Sequence, residues 1–141
     1  MFFGSFRYAL DDKGRLVIPA KLRGECGLTL FALRGFEHCL SLYPAKNFES
    51  LVAQLKQMDF MQPENRPFVR LALASVIELT IDDHGRIQLP VETQQHYGFQ
   101  KKMTILGVQD HLEIWDTETW IAYEKQAQAG FDTFNPSGVK K

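Results

Sequence analysis

One segment of this chain occurs twice, and the duplication limits the folds that the chain can adopt. Residues 11–19 read DDKGRLVIP, and residues 82–90 read DDHGRIQLP, 71 positions later. A glycine follows each proline at the same distance, at Gly27 and at Gly98. Each copy predicts the same small unit of strands and helices, and one unit alone is too short to bury its strands well. We therefore expect two halves that interlock around a shared core.

A second pair of matching segments follows the first pair in the same order. Residues 35–43 (GFEHCLSLY) match residues 107–115 (GVQDHLEIW) with an offset of 72 positions. One residue has therefore been inserted between the two blocks of the second copy. Because several blocks match in the same order, chance is a poor explanation, and we interpret the chain as a tandem duplication.

Hydrophobic patterning predicts the same order of strands in both copies. Strands are expected at 6–10, 15–18, 28–34 and 38–43 in the first copy and at 76–81, 86–89, 102–107 and 111–115 in the second. Asp and Gly in the repeated segments favour a tight turn between the first two strands, which we expect to form a hairpin. A short helix should start at Pro19 and at Pro90 and stop at the following glycine, because proline suits a first helical turn and glycine a helix end.

Longer helices are expected where apolar residues recur at helical spacing. They fall around 48–58, near 63–75 as a linking helix, and from Asp116 or Thr117 onwards, where either side chain could cap the helix. The aromatic residues Phe48, Trp120 and Tyr123 are expected to pack against the core and not to form a platform for stacking on bases.

Together these elements predict an α+β fold that is mainly β. Two tandem hairpin-containing halves would share one β-barrel with flanking helices, as a pseudo-dimer within one chain. The expected units are 1–60 for the first half and its closing helix, 61–75 for the linking helix, 76–130 for the second half and its closing helix, and 131–141 for a disordered tail.

The charges are unevenly divided along the chain. The formal net charge of −1 argues against a protein that coats nucleic acid without selectivity. Residues 1–70 nevertheless hold ten Lys and Arg against seven Asp and Glu, whereas residues 71–141 hold six against ten. A nucleic-acid site should therefore be local, with the first half contributing more of the attraction.

The chain lacks the patterns of exported, membrane-spanning or metal-binding proteins. No apolar run approaches the roughly 20 residues of a membrane span, and the first residues do not read as a secretory signal. We therefore expect a cytoplasmic location and no membrane partner. Cys26, Cys39 and the neighbouring His38 do not complete a spaced zinc quartet, so we expect reduced core thiols and no metal or other cofactor.

Several segments of the chain resemble those of a known family. GRLVIPAKLR at 14–23 resembles the swapped-hairpin element of the AbrB and MazE superfamily. The doubled motif of an Asp, three residues and an Arg, at 11–15 and 82–86, narrows the resemblance to the MraZ family, as does GVQDHLEIWD at 107–116. In that last block a valine separates the Gly and Gln that the family pattern joins. The resemblance covers roughly residues 1–130.

The resemblance implies a double-split β-barrel built from two swapped-hairpin halves and a homo-oligomeric ring. It also implies binding to double-stranded DNA at the nucleoid, at short direct repeats upstream of the division and cell-wall gene cluster that encodes the protein. The family motif falls on Asp11, Gly14 and Arg15 and again on Asp82, Gly85 and Arg86.

Arg15 and Arg86 have two interpretations. The planar guanidinium can meet O6 and N7 of guanine together in the major groove, which suits a DNA reader. An Asp four residues before each Arg, across a tight turn, could instead hold it in an internal ion pair. The resemblance favours DNA reading for the arginines. Asp11 and Asp82 are expected to be structural, because carboxylates repel phosphate, and they could orient the arginines.

The candidate DNA-binding set also includes Lys13, Gly14, Gly85 and Arg7. Lys13, beside the first turn glycine, is expected to contact phosphate, whereas His84 holds the corresponding position of the second copy, so the halves are not equivalent. Arg7 is a candidate either for a phosphate contact or for a solvated face, and the same choice applies to Lys21 and Arg23.

Two other classes of function remain open. An antitoxin-like module that binds a protein partner suits a net charge near zero, although such proteins usually carry a longer partner-wrapping tail. An enzyme could use the paired Asp at 11–12 and 82–83 for acid–base chemistry or for a divalent metal. Each pair lies in a glycine-containing turn, however, and no catalytic motif accompanies it. We therefore expect a DNA-binding regulator and not an enzyme.

Overall fold

The computed structural model describes residues 1–135, which contain eight strands and five helices. Strands β1 (Ser5–Ala9), β2 (Arg15–Val17), β3 (Thr29–Arg34) and β4 (Leu40–Pro44) belong to the first repeat, and β5 (Ile77–Thr80), β6 (Arg86–Gln88), β7 (Lys102–Val108) and β8 (His111–Asp116) to the second. The helices are α1 (Ala20–Cys26), α2 (Ala45–Lys56), α3 (Asn65–Ala74), α4 (Val91–His96) and α5 (Thr117–Thr133). The elements expected from the sequence are therefore present, in the expected order.

The strands form one large and one small antiparallel sheet. The large sheet has the order β1-β7-β8-β4-β3-β5, and β2 pairs with β6 in the small sheet. Since β1 pairs with β7 and β5 with β3, the first strand of each repeat lies beside a strand of the other repeat.

The expected pairing of the first two strands within each repeat, β1 with β2 and β5 with β6, is wrong, and the strands do not close into the expected β-barrel. A backbone hydrogen bond from Asp11 to Arg15 closes the turn between β1 and β2, but the two strands belong to different sheets. Among residues 1–135 the large sheet is open and ends at β1 and β5, because the return strands β2 and β6 leave it to pair with each other.

One apolar core joins the two repeats. Its fully buried members include Leu16, Ile18, Leu30 and Leu42 from the first repeat and Ile87, Ile105, Leu112 and Ile114 from the second. Burying one such side chain contributes about 1.5–3 kcal/mol to stability. Because the two repeats line the same core, separating them would expose apolar surface on both.

Cys26 and Cys39 are free, buried thiols, as expected. Burial raises the pKa of Cys26 to about 11 and also raises the pKa of Cys39. Both thiols therefore stay protonated near neutral pH, which makes them poor nucleophiles. Within residues 1–135, no group of three or more His, Cys, Asp and Glu side chains is placed to hold a metal ion.

Aromatic side chains fasten the longer helices to the large sheet. Phe48 of α2 stacks on Phe31 of β3, with ring centroids 4.5 Å apart. Trp120 and Tyr123 of α5 lie 5.2 Å and 5.1 Å from the ring of Trp115 on β8. The prediction that these aromatic residues serve packing is confirmed. No helix in the described part of the chain is long and apolar enough to cross a membrane.

The start of α5 is held differently from the expected capping. Asp116 occupies the N-cap position, but its carboxylate accepts a hydrogen bond of 2.8 Å from the backbone N–H of Gln100 and does not cap the helix. The hydroxyl of Thr117 lies 2.9 Å from that of Thr104 on β7, and both are buried. Contacts with β7 and with the loop before it therefore position this helix.

The end of α5 also differs from expectation. The helix continues to Thr133, three residues into the segment 131–141 that was expected to be a disordered tail. Ala and Gln are frequent in its second half, and both favour a helix. The remainder of that segment, from residue 136, lies outside the described residues.

Candidate nucleic-acid interface

The two repeated segments meet in the small sheet, which we call the ribbon (Arg15–Val17 with Arg86–Gln88). Arg15 lies opposite Gln88, and Val17 lies opposite Arg86. Since positions 71 residues apart exchange places in this pairing, the ribbon has a pseudo-two-fold axis at its centre. The backbone therefore presents the two copies of the motif as related halves.

One face of the ribbon is buried and the other is accessible. Leu16 and Ile87 are 0% exposed and belong to the core. Successive side chains of a strand point to opposite faces, so the residues on either side of them share the outer face. These are Arg15, Val17, Arg86 and Gln88, of which Gln88 is exposed and the others are partly exposed. Arg15 and Arg86 are diagonal neighbours on this face, a relation that usually separates Cα atoms by roughly 7–8 Å.

The first turn, residues 11–15, is organised by one carboxylate. Oδ1 of Asp11 accepts hydrogen bonds from the backbone N–H groups of Lys13 (2.9 Å) and Arg15 (2.8 Å), while Oδ2 accepts from Nε of Arg15 at 2.6 Å. The backbone N–H of Arg15 is the main cause that lowers the pKa of Asp11, against the opposing effect of burial. The carboxylate is therefore ionised near neutral pH and pairs with the arginine.

The second turn, residues 82–86, repeats this arrangement. Oδ1 of Asp82 accepts from the backbone N–H groups of His84 and Arg86, both at 2.9 Å, and Oδ2 accepts from Nε of Arg86 at 2.9 Å. The backbone hydrogen bond from Arg86 leads the causes that lower the pKa of Asp82. The internal ion pair that the sequence left as one alternative is thus present in both copies.

Each ion pair uses only one donor of its arginine. Within residues 1–135, the side-chain hydrogen bonds of Arg15 and Arg86 run through Nε, and the Nη groups make none. The side chains of Arg15 and Arg86 are 29% and 26% exposed. An arginine held in this way keeps two donor groups for a planar acceptor. The ion pair and the reading of a base are therefore compatible roles for one side chain.

The second turn packs against a helix of the first repeat. Gly85 has a φ of +75°, which L side chains rarely adopt, and an added methyl group would overlap the guanidinium of Arg23 on α1. Arg23 also donates from Nε to the carbonyl oxygen of Ile18 at 2.9 Å. Arg23 was expected in a phosphate contact or on a solvated face, and here it is half-buried against the turn.

The first turn packs against the second repeat in the corresponding way. Gly14 has a φ of +73°, and an added methyl group would overlap the side-chain amide of Gln94 on α4. Gln94 donates from Nε2 to the carbonyl oxygen of Leu89 at 2.9 Å. Sequence reasoning missed Gln94, although the offset of 71 that relates the turns also relates it to Arg23.

The turn glycines shape the backbone and do not offer free donors. The N–H of Gly14 donates to the carbonyl oxygen of Asp11 at 3.0 Å, and that of Gly85 donates to Asp82 at 2.9 Å. Both glycines are buried. Their part in the site is therefore to form the tight turn that carries each arginine.

The remaining candidates are distributed over different elements. Lys13 is exposed on the first turn, and its carbonyl oxygen accepts from Nε2 of Gln88 at 3.0 Å, a residue that the sequence did not single out. Arg7 is exposed but lies on β1 opposite Thr104, in the large sheet and not on the ribbon. Lys21 is exposed on α1. The structure thus joins Lys13, but not Arg7, to the surface formed by the ribbon.

A separate cavity of about 380 Å³ shares no lining residue with the ribbon or the turns. Apolar side chains of α2 and α3, including Leu51, Leu55 and Phe68, form part of its wall, and residues of β3, β4 and β8 contribute to the rest. Glu113 also lines it; burial raises the pKa of this carboxyl, but the nearby His111 imidazole and a hydrogen bond of 3.1 Å from Nε1 of Trp115 lower it by more, so the net shift is downward. The cavity is therefore mostly apolar, with Arg34, His111 and Glu113 among its ionisable lining residues.

Comparisons with known proteins agree with the duplicated structure. A family model described as "MraZ protein, putative antitoxin-like" matches twice, at residues 1–71 and 72–137. A relative from Lactiplantibacillus plantarum is 40% identical over 132 residues, which cover 94% of each chain. Relatives from Syntrophomonas wolfei and Natranaerobius thermophilus are each 36% identical over 132 residues, covering 94% of this chain and 92% of theirs.

All three relatives carry the name transcriptional regulator MraZ. The family model matches both repeats, and the similarity to the relatives extends over nearly the whole chain. These two findings show that the chain belongs to the MraZ family.

Proposed function

We propose that the chain is a transcription regulator that binds specific double-stranded DNA through the outer face of the ribbon and through its two turns. One observation carries the proposal: Arg15 and Arg86 lie on the same accessible face, each ion-paired through Nε with both Nη groups unused. The relatives' name, transcriptional regulator, supports the same function.

The shape of the ribbon suits the major groove, which admits a two-stranded β-ribbon. Each arginine would present its Nη groups to O6 and N7 of a guanine, a contact worth about 1–3 kcal/mol of discrimination against another base. The carboxylates of Asp11 and Asp82 hold the two side chains before DNA arrives. Because fewer rotamers are lost on binding, this restraint favours affinity. Lys13 at the tip of the first turn would contact a phosphate.

We further propose that the protein acts as a homo-oligomeric ring on short direct repeats upstream of its own division and cell-wall gene cluster. One chain offers few cations, so several linked chains would be needed for strong binding. In such a ring, contacts between chains could cover the large apolar side chains that are exposed on one chain, among them Phe131 (83% exposed), Phe134 (70%) and Phe36 (69%).

The test is fluorescence anisotropy with labelled DNA from upstream of the protein's own gene. Wild type would be compared with Arg15→Ala, Arg86→Ala and the charge-preserving Arg15→Lys and Arg86→Lys at two salt concentrations. Lys125→Ala, which removes one exposed charge from α5, is the control for net charge. Each variant is first checked for its fold and its oligomeric state.

The alanine variants are expected to lose about 5–150-fold in affinity for the specific DNA, which corresponds to 1–3 kcal/mol per guanine contact. The lysine variants should keep weak, salt-sensitive binding but lose selectivity, because lysine lacks the planar fork. If wild type shows no selective binding, the proposal fails and a protein-partner module becomes the better interpretation. If selective binding survives all four substitutions, the arginines serve only the turns.

A further inference from the structure

The two halves of the ribbon are symmetric in backbone but not in side chains. Val17 and Gln88 are equivalent positions, 71 residues apart, and each lies directly opposite the arginine of the other repeat. Both lie on the outer face as the last residue of their strand, directly after the buried Leu16 and Ile87. The side chain opposite Arg15 is therefore a glutamine, whereas the side chain opposite Arg86 is a valine.

Gln88 is oriented by the first turn. Its Nε2 donates to the carbonyl oxygen of Lys13 at 3.0 Å, which leaves one amide hydrogen and Oε1 of the side chain unused among residues 1–135. A donor and an acceptor side by side match N7 and the N6 amino group of adenine. Val17 offers only methyl groups, which match the C5 methyl of thymine.

We propose that Val17 and Gln88 are specificity-determining residues that give the DNA element of one chain a direction. Beside the guanine met by Arg15, Gln88 selects adenine, and beside the guanine met by Arg86, Val17 selects thymine. This inference rests on the proposed function, because it needs the ribbon to face DNA bases. A symmetric backbone with unlike side chains then reads two unlike half-sites, so a palindromic element would satisfy only one half of each chain.

The test uses the full-length chain in its native oligomeric state and a pool of duplexes randomised around the preferred element. Base preference is measured for wild type, Val17→Gln, Gln88→Val and the double exchange Val17→Gln/Gln88→Val. Thr80→Gln, an exposed position on β5 in the large sheet, is the matched control for introducing glutamine on a strand. Urea unfolding of each variant confirms that the fold is kept.

Val17→Gln should change the preference next to one guanine from thymine to adenine by about tenfold, and Gln88→Val should make the opposite change next to the other guanine. The double exchange should prefer the reversed element, with both guanines retained. If wild type is selective but its flanking preferences are the same in all three variants, this inference is overturned and the proposed function stands. If wild type selects no sequence, the proposed function itself fails and this inference falls with it. Should Val17→Gln unfold, Gln88→Val alone decides, because valine favours a strand and replaces an exposed side chain.

Discussion

Asp11 and Asp82 each accept three hydrogen bonds within their own turn, two from backbone N–H groups and one from the arginine four residues later. A single carboxylate therefore sets the conformation of the turn and the direction of the arginine. From the sequence, the Asp was expected to be structural and to orient the Arg, and the Arg was expected either to read DNA or to form an internal ion pair. The ion pair is present in both copies, and because the pairing atom is Nε, it leaves the Nη groups available for the proposed contact with a base.

The lowered pKa values of Asp11 and Asp82 predict a pH dependence of stability. Their ionised forms stabilise the fold above the unfolded pKa, about 3.9, and this contribution is lost as the pH falls through the lower folded pKa. We expect Asp11→Asn/Asp82→Asn to melt below wild type at pH 7, and the difference to shrink between pH 4 and pH 2.

Thermal melting monitored by circular dichroism across this range tests the prediction. The matched control is Asp12→Asn/Asp83→Asn, because these exposed neighbours make no side-chain hydrogen bond within residues 1–135. A gap between wild type and the Asp11/Asp82 variant that stays constant down to pH 2 would contradict the assignment.

Gly85 and Gly24 predict opposite effects of the same substitution. Gly85→Ala places a side chain at a φ of +75° and against Arg23, so the free energy of unfolding should fall by about 1–3 kcal/mol. Gly24 lies within α1 with no atom within 4 Å of an added Cβ, so Gly24→Ala should raise it by about 0.5–1 kcal/mol. Urea denaturation measures both changes, and equal effects in the two variants would refute the argument.

At the scale of elements, the positions of the strands and helices along the chain could be predicted from the sequence, but the pairing of the strands could not. Strand and helix boundaries came close to expectation because alternation, proline and glycine act locally. The pairing of β1 with β7 and of β2 with β6 is a long-range choice that leaves no mark in the local pattern. The sequence alignment of Gly35 with Gly107 is also wrong by one residue. Leu40 and Leu112 are equivalent positions, and the residues opposite them are Arg34 and Gly107, so Gly107 corresponds to Arg34 and not to Gly35.

The hydrogen bond between Thr104 and Thr117 at the start of α5 predicts that substitutions of these two residues have coupled effects on stability. Thr104→Val leaves the buried hydroxyl of Thr117 without its partner, and Thr117→Val does the reverse. Each single change should cost about 1–3 kcal/mol, and the double variant should cost clearly less than the sum, because it leaves neither hydroxyl unpaired. Chemical denaturation of the four proteins completes the cycle, and strictly additive costs would show that the two side chains do not interact.

At the scale of the whole molecule, each turn depends on both repeats. The first turn lies under Gln94 of α4 and the second under Arg23 of α1, so neither half contains a complete site. The charge of the halves is also redistributed, because Arg23 belongs to the more basic first repeat but lies against the turn of the second. A charge balance counted by halves of the sequence therefore does not describe the surface that forms.

The proposed oligomer predicts that DNA with several direct repeats binds much more tightly than DNA with one. Once one chain is bound, its neighbours in the assembly meet the next repeats at a high effective concentration, so we expect a gain of about tenfold or more. The comparison uses duplexes of equal length in which all repeats but one are scrambled. An array whose spacing is changed by half a helical turn should lose part of the gain. Equal affinity for single and tandem DNA would remove the avidity argument.

The amino-acid sequence by itself determined the duplication, the order and type of the elements, the family, and the turn positions of Asp11, Gly14 and Arg15 with their copies. These features depend on residues close together in the chain, through hydrogen bonds within a turn and apolar spacing within a strand or helix. The tertiary structure alone decided that β2 and β6 pair, and that Val17 and Gln88 thereby join the arginines on one outer face. It also decided that Arg23 and Gln94 each support the turn of the other repeat. Such contacts form between residues some 60–80 positions apart, and they arise because the two repeats can bury their apolar faces only against each other.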